Sequence, residues 1–334
     1  MKYTNLIAGS YTSAEHPYGI SLLQINQKQL SLSDRLNAGK HPSFLISDGN
    51  ERFYIANEIN SSCNIGIYAL SPDGIRPQGQ MSSEGQGACH LSYDQATGLL
   101  FASCYGSGHI VCFDTKERRV KCSFRSEDNE GSHAHGTTIA FDGKWLLAVD
   151  LGKDLIDAFR MEDIMEGRMK PVSSLTLPAS TGPRQILADS LGNRLYSINE
   201  LDSSIYVIEF DKGSGAMTPR QKIAATATGK ENYPGTAVLT KNGSHLLLPN
   251  RGANTISVFE TEGATLSLKG EYSCFGDWPR YLNLTEDEEH LLVANQRSGE
   301  LVLFLWRAES QKPLTYLDRI RIPEVSCVID RQRI

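Results

Sequence analysis

The sequence predicts an all-β fold, a seven-bladed β-propeller made of four-stranded antiparallel blades. Two observations lead to this prediction. A polar turn residue followed by a strand-like run recurs along the 334 residues, and each unit repeats the same order of short apolar runs and tight turns. The spacing is roughly 45–51 residues, which is the length of one four-stranded blade. The copies begin at Gly9, Asn57, Cys104, Asp150, Asn199, Asn250 and Asn295.

The unit that begins at Pro42 shows how one blade is predicted. A short apolar strand, PSFLIS, is followed by the tight turn Asp48-Gly49-Asn50 and by a second strand, RFYIANE. The run NIGIYAL predicts the third strand, and a weaker outer strand follows it. One blade cannot bury both faces of its sheet without neighbours. We therefore expect a single propeller domain that spans residues 1–334.

The two ends of the chain predict how the ring closes. Near the N-terminus, NLIAGSY has the pattern of a second strand that lacks a first strand. Near the C-terminus, IPEVSCVIDRQ from Ile322 has the pattern of a first strand that no other strand follows. We expect the C-terminal strand to complete the N-terminal blade, which would remove free sheet edges.

Composition excludes several classes of function. The net charge of −6 and the absence of a basic run argue against nucleic acid as a partner. The N-terminus enters a strand pattern without an apolar stretch, so we expect neither a signal peptide nor a membrane span. Seven cysteines without paired spacing are typical of reduced thiols, which indicates a cytoplasmic protein. No pattern calls for a cofactor, and the oligomeric state is left open.

Antiparallel pairing predicts which residues meet at one mouth of the central channel. The start of each first strand and the end of each second strand lie at the same end of a blade. The first-strand starts supply His41, His90, His135, Arg184, Gly235, Arg280 and Glu324. The second-strand ends supply Ser10, Glu58, Tyr105, Asp150, Glu200, Arg251 and Gln296. His133, two residues before His135, is expected to share this mouth.

The residue types at this mouth indicate binding of an anion and proton transfer. Guanidinium groups donate to carboxylate or phosphate in a planar fork, and a histidine beside a carboxylate can move protons near neutral pH. Arg184 and Glu200 are the most informative pair, because both fall in one blade. His133 and His135 lack a third ligand at metal-site spacing, so we expect no metal. The repeated asparagines are expected to stabilise their turns.

Eleven short stretches, in order and over nearly the whole chain, carry a resemblance to a known family. They are GSYTS at Gly9, HPSFL at His41, ACHLSYD at Ala88, CYGSG at Cys104, SHAHG at Ser132, DLGKD at Asp150, TGPRQ at Thr181, NELDSS at Asn199, NRGANTISVF at Asn250, WPRYL at Trp278 and ANQRSG at Ala294. The chain resembles the seven-bladed lactonase family, which includes bacterial propeller-type 6-phosphogluconolactonases and fungal carboxymuconate cyclases.

The resemblance implies roles for particular residues. His135 and Glu200 occupy the acid/base positions, and Arg184 and Arg251 those that hold the substrate anion. Supporting contacts with the substrate are implied for His133, His90, Tyr105, Arg280 and Gln296. The resemblance implies no metal.

Three functions remain open from the sequence. The first is hydrolysis of an anionic sugar lactone, with 6-phospho-D-glucono-1,5-lactone of the pentose phosphate pathway as the first candidate. The second is a carboxymuconate cycloisomerase of aromatic catabolism, which would use the same mouth for carboxylates. The third is a non-catalytic propeller that binds a protein partner, although the repeats lack the Gly-His and Trp-Asp signatures of such scaffolds.

Overall fold

The computed structural model describes residues 3–71, 74–126, 128–189, 192–263 and 265–330. Nearly all regular structure within these residues is β-strand, with one short helix, α1, at Met161–Met165. In chain order the strands are β1 (Tyr3–Ser10), β2 (Ile20–Asn26), β3 (Gln29–Leu36), β4 (Pro42–Ser47), β5 (Arg52–Ile59), β6 (Ser62–Ser71), β7 (Gly74–Ser83), β8 (Ala88–Asp94), β9 (Leu99–Cys104), β10 (His109–Asp114), β11 (Arg119–Phe124), β12 (Ala134–Ala140), β13 (Trp145–Asp150), β14 (Leu155–Arg160), β15 (Ser173–Thr176), β16 (Pro183–Ala188), β17 (Arg194–Asn199), β18 (Ser204–Phe210), β19 (Met217–Ala224), β20 (Tyr233–Pro234), β21 (Val238–Leu239), β22 (His245–Arg251), β23 (Thr255–Glu262), β24 (Thr265–Ser273), β25 (Pro279–Leu284), β26 (His290–Asn295), β27 (Glu300–Trp306), β28 (Leu314–Arg321) and β29 (Val325–Asp330).

The described strands form seven antiparallel sheets, which confirms the predicted propeller. Blade 1 has the order β29-β1-β2-β3, and blades 2 to 5 follow as β4–β7, β8–β11, β12–β15 and β16–β19. In blade 6 the first strand is broken into β20 and β21, which both pair with β22, followed by β23 and β24. Blade 7 is β25–β28. The first strands of neighbouring blades lie against one another around the channel.

Strand β29 closes the ring, as the two chain ends predicted. It pairs antiparallel with β1, with Leu6 opposite Asp330 and Gly9 opposite Cys327. It also contacts β4 of blade 2 and β25 of blade 7. Residues 331–332, the end of the predicted strand, and residues 1–2 of the predicted domain lie outside the described part of the chain.

Burial falls from the channel towards the outer edge of each blade. All six residues of the second strand β9 are buried, whereas the fourth strand β7 is mostly exposed. The inner strands are covered on both faces by adjacent blades, and apolar clusters fill the spaces between sheets. One such cluster joins Leu6 and Val328 of blade 1 to Leu292 and Leu303 of blade 7. Because each core is shared by two blades, the blades stabilise one another around the whole ring.

The repeated asparagines have structural partners, in agreement with their predicted turn role. The Asn57 amide donates to the Ala38 carbonyl at 3.0 Å and to the Lys40 carbonyl at 2.8 Å. Asn295 donates in the same way to the Cys274 carbonyl at 3.1 Å. Asn57 and Asn295 thus tie the second strand to the loop that enters their blades, whereas Asn199 bonds to Ser197 and Ser204 around its own turn.

None of the described residues belongs to a helix with the length and apolar character needed to span a membrane.

Candidate active site

A repeated β-bulge places one side chain from each of six described blades in the channel. Where the first strand begins to pair with the second, one residue of the first strand is skipped by the ladder. A bulge re-aims the skipped side chain. The skipped residues are Ser43, Cys89, His135, Arg184, Arg280 and Ser326. All of them line one small central cavity, so the bulge is what presents them to the channel.

In blade 6 the corresponding residue is Gly235, which follows the paired residue Pro234. A Cβ atom built at Gly235 would lie 2.5 Å from the carbonyl oxygen of Arg280. A side chain would therefore collide with the backbone of blade 7. Glycine here lets the two first strands approach closely enough to close this side of the channel.

A second set of mouth residues follows the paired polar residue at the end of each second strand. Pro42 pairs with Asn57, Pro183 with Asn199, and Val325 with Ser10. Successive side chains along a strand point to opposite faces, so the next residue turns towards the mouth. Taken in blade order from blade 1, these next residues are Tyr11, Glu58, Tyr105, Leu151, Glu200, Arg251 and Gln296.

The bulges place Ser43, Cys89 and Ser326 at the first-strand positions predicted for His41, His90 and Glu324. The register also corrects two second-strand positions of the predicted mouth. Tyr11 and Leu151, rather than Ser10 and Asp150, are the counterparts of Glu58 and Glu200 in blades 1 and 4. Asp150 accepts hydrogen bonds from the Ser132 hydroxyl and from the His133 amide at 2.8 Å, so it fixes the entry to β12. No turn residue distinguishes Ser10 from Tyr11, so the sequence pattern does not predict Tyr11 at this mouth.

Glu200 is the centre of the first charged cluster. Its Oε2 accepts from Arg184 Nη1 at 2.8 Å and lies 2.7 Å from Arg251 Nη2. Arg184 Nη1 also contacts His135 Nε2 at 2.5 Å. All four of these residues, predicted as catalytic, are brought together in one contact network.

The backbone fixes Arg251 within this network. Its Nε donates to the Tyr233 carbonyl at 2.8 Å and its Nη2 to the Pro234 carbonyl at 2.9 Å. Its guanidinium carbon lies 5.6 Å from the ring centre of Trp278. Arg251 is therefore preorganised, and little conformational entropy is lost when it binds an anion.

The electrostatics of this cluster keep Glu200 ionised and His135 neutral. Burial acts to raise the pKa of Glu200, but the guanidinium groups of Arg184 and Arg251 outweigh it and lower the pKa to about 2. Burial, reinforced by Arg184, holds the pKa of His135 well below its usual value. Burial, with Arg184 as the second cause, also lowers the pKa of Arg251 to about 9.

Glu58, Tyr11 and Arg280 form the second charged cluster. The Tyr11 hydroxyl donates to Glu58 Oε2 at 2.5 Å and accepts from Arg280 Nη2 at 2.9 Å. Arg280 Nη2 lies 3.9 Å from the same Glu58 oxygen. Burial raises the pKa of Tyr11, so the phenol keeps its proton at neutral pH. Arg280 was predicted to contact substrate, whereas this tyrosine was not.

The remaining predicted residues lie around these clusters. The rings of His133 and Tyr105 stack with centroids 4.4 Å apart, and Tyr105 meets His135 edge-on at 5.7 Å. His90 follows the bulge of β8, and its ring lies 4.5 Å from that of Phe44. Burial lowers the pKa of His90 to about 3, with Arg184 as the second cause. Gln296 occupies the second-strand position of blade 7.

Two cavities lie along the channel. The one beneath the arginines measures about 10 Å³, which is room for one water molecule. A larger cavity of about 540 Å³ opens at the opposite end, where Asp48, Glu286 and Asp330 are the charged residues of its wall. Phe44 and Tyr281 line both cavities and separate them. Among the described residues that line the larger cavity there is no arginine to bind an anion, and we place the candidate site at the charged mouth.

Among the described residues, one group has the side chains and spacing to hold a metal ion. It consists of Asp287, Glu289 and His290, in and just after the turn between β25 and β26. Two of the three are exposed, and none belongs to the charged mouth.

Comparison with protein-family models identifies the chain. Residues 5–329 match the model described as "Lactonase, 7-bladed beta-propeller". The chain therefore belongs to the seven-bladed β-propeller lactonase family.

Similar proteins match along nearly the whole chain, and solved structures share its fold. A protein named 6-phosphogluconolactonase from Bacillus subtilis is 23% identical over 346 residues, with 98% of each chain covered. A Lactobacillus plantarum protein of known structure superposes with a TM-score of 0.90 at 23% identity, covering 98% of this chain and 99% of that one. A periplasmic gluconolactonase from Pseudomonas aeruginosa superposes with a TM-score of 0.88 at 20% identity, over 98% and 99%.

Proposed function

We propose that the protein hydrolyses a lactone that carries an anionic group. The observation that carries the proposal is the convergence of Arg184, Arg251 and Arg280 at one mouth, with Glu58 and Glu200 as their ion-pair partners. Three guanidinium groups against two carboxylates leave one positive charge, which an anionic substrate would balance. Membership of a lactonase family supports ring-opening hydrolysis as the reaction class.

In this proposal Arg184 and Arg251 bind the anionic group or the oxyanion. Attack of water on the ring carbonyl moves negative charge to the carbonyl oxygen, and fixed donors stabilise that charge in the transition state. The backbone contacts of Arg251 make it a preorganised donor of this kind. Arg280, His133, His90, Tyr105 and Gln296 would contact the rest of the substrate.

His135 and Glu200 are the proton-transfer residues that the family motifs suggest. At neutral pH His135 is a neutral imidazole and Glu200 is a carboxylate, so each is in the form that can accept a proton. The low pKa of each nevertheless makes it a weak base. A substrate anion bound to Arg184 and Arg251 would draw donors away from Glu200. This would raise the pKa of Glu200 at the moment when proton transfer is needed.

As substrate we propose 6-phospho-D-glucono-1,5-lactone, and therefore a role in the pentose phosphate pathway in the cytoplasm. The name of the Bacillus subtilis relative supports this choice. A phosphate would match the planar donors of the arginines. The proposed partner is this small molecule alone, without nucleic acid.

The test is a comparison of three lactones with the purified protein. They are 6-phosphogluconolactone made in situ, unphosphorylated gluconolactone, and a carboxymuconolactone. We expect kcat/KM for the phosphorylated lactone to exceed that for gluconolactone by at least about 10²-fold, because one buried charged contact is worth several kcal/mol. Turnover of the carboxymuconolactone alone, by isomerisation without uptake of water, would instead support a cycloisomerase. Failure to turn over any of the three would refute the proposal.

A further inference from the structure

The two carboxylates of the charged mouth have different surroundings, although the register makes their positions equivalent. Glu200 is held by two guanidinium groups, at 2.8 Å from Arg184 and 2.7 Å from Arg251. Glu58 instead accepts a hydrogen bond from a phenol, and its guanidinium neighbour Arg280 is 3.9 Å away. The direct ion pairs weaken Glu200 as a proton acceptor. Glu58 has no comparable direct pair among the described residues.

The hydrogen bonds around the Tyr11 hydroxyl leave one acceptor position. The oxygen donates its proton to Glu58 and accepts one hydrogen bond from Arg280. A phenol oxygen offers one donor and two acceptor lone pairs. A water molecule that donated to the second lone pair would be joined to Glu58 through Tyr11.

The surroundings hold Tyr11 in this orientation. Its backbone N–H donates to the Glu324 carbonyl at 3.1 Å. Its ring lies 5.6 Å from the His41 ring and 5.3 Å from the guanidinium carbon of Arg280. Tyr11 is therefore fixed on two sides, and its hydroxyl lies on the side that also holds Arg280 and Glu58.

We propose that Tyr11 and Glu58 are a further catalytic pair, and that this pair, rather than the weak bases His135 and Glu200, relays the proton of the attacking water. The proposal rests on the lactone hydrolysis proposed above. As water adds to the ring carbonyl carbon, its proton passes to the Tyr11 oxygen while the Tyr11 proton passes to Glu58. When the bond between the carbonyl carbon and the ring oxygen breaks, Glu58 returns its proton through Tyr11 to that oxygen. The products are a carboxylic acid and a hydroxyl group, so one water is consumed and both residues are restored.

The raised pKa of Tyr11 is consistent with a relay. A phenol that holds its proton this firmly would not act as a phenolate base by itself. In a relay it gains one proton as it loses another, and the phenolate is never formed. Arg280 keeps the oxygen positioned in both steps.

The experiment compares Tyr11→Phe, Glu58→Gln and the double variant with wild type, using the lactone that wild type turns over best. We expect each single variant to lower kcat by about 10²–10⁴-fold with KM changed by less than about threefold. The double variant should be no slower than the slower single variant, because each change breaks the same relay. Tyr18→Phe is the matched control, since Tyr18 is 53% exposed, and it should behave as wild type.

Two outcomes would overturn the proposal. One is a kcat within fivefold of wild type for either single variant. The other is a double variant whose loss equals the product of the two single losses, which would indicate independent roles. Thermal unfolding of each variant checks that the fold is intact, and Glu58→Gln alone carries the test if Tyr11→Phe unfolds. If wild type hydrolyses no lactone, the proposed function fails; if it does and the variants are unaffected, only the relay fails.

Discussion

Glu58 and Glu200 occupy the same position in blades 2 and 5, each one residue beyond the asparagine that pairs with a proline of the first strand. Their hydrogen-bond partners differ: a tyrosine for Glu58, two arginines for Glu200. The ring therefore brings two carboxylates with different hydrogen-bond partners to one mouth. Such a difference is how a site can combine anion binding with proton transfer.

Replacement of Arg184 by lysine tests the role of its guanidinium group, which contacts both His135 and Glu200. Arg184 Nη1 contacts both His135 and Glu200, and a lysine ammonium lacks the planar fork that also presents a second nitrogen to a substrate. We expect Arg184→Lys to lower kcat/KM by at least about 10²-fold. Steady-state kinetics on the preferred lactone would measure this. Arg220→Lys, in an exposed pair with Glu209, is the control, and activity within threefold of wild type for Arg184→Lys would contradict the assignment.

The ion pairs of Glu200 predict how the free energy of unfolding depends on pH. The pKa of Glu200 is lowered to about 2 in the folded protein, so its contribution is complete above its unfolded value and is lost as pH falls towards 2. A shift of this size corresponds to about 3 kcal/mol. Urea unfolding should show the stability advantage of wild type over Glu200→Gln shrinking between about pH 5 and pH 2. A difference that stays constant over this range would show that the carboxylate is not held by the arginines.

Burial of neutral His135 also makes the free energy of unfolding depend on pH, but here a histidine that stays unprotonated is the cause. Burial and Arg184 lower its pKa, so below about pH 6.5 the unfolded chain binds a proton that the folded protein does not. Stability should therefore fall as pH decreases from 7 to 5, by at most about 1.4 kcal/mol per pH unit for this residue. The slope should be smaller in His135→Gln and unchanged in the control His16→Gln, where the histidine is exposed. Equal slopes in all three proteins would mean that His135 is protonated in the folded state.

Cys89 should be chemically inert although it lines the central cavity. Burial raises its pKa to about 12, so hardly any thiolate exists at pH 8. We expect iodoacetamide at pH 8 to leave Cys89 unmodified and activity intact, while the partly exposed Cys122 is alkylated. Peptide mapping by mass spectrometry would locate the label, with Cys122→Ser as control. Loss of activity together with labelling of Cys89 would contradict this prediction.

The blade pattern could be predicted because turns and apolar runs are local properties of the chain. The same reasoning paired the chain ends correctly, since β29 and β1 each lacked a partner. It also brought Arg184 and Glu200 together, because antiparallel strands fix which of their ends are adjacent.

The finer register could not be predicted from these patterns. A bulge changes by one residue which side chain enters the channel, and no residue type marks it in this sequence. The skipped residues range from Ser43 to Arg184. This is why the sequence did not predict Ser43, Cys89 and Ser326 in the channel. The position of Tyr11 depends instead on where the second strand β1 ends, which no turn residue marks.

The bulges also allow side chains at the mouth to be substituted while the strands of each blade stay paired. A skipped residue contributes no rung to the ladder between the first two strands, so its side chain can vary while strand pairing is retained. Ser43, Cys89 and Ser326 are small residues on blades 1 to 3, whereas the bulky Arg184 and Arg280 come from blades 5 and 7. Enlarging one of the small residues would narrow the space available to a substrate, and shortening one of the arginines would remove its charge. Substrate preference in this protein can thus be altered at single positions, independently of the blades that carry them.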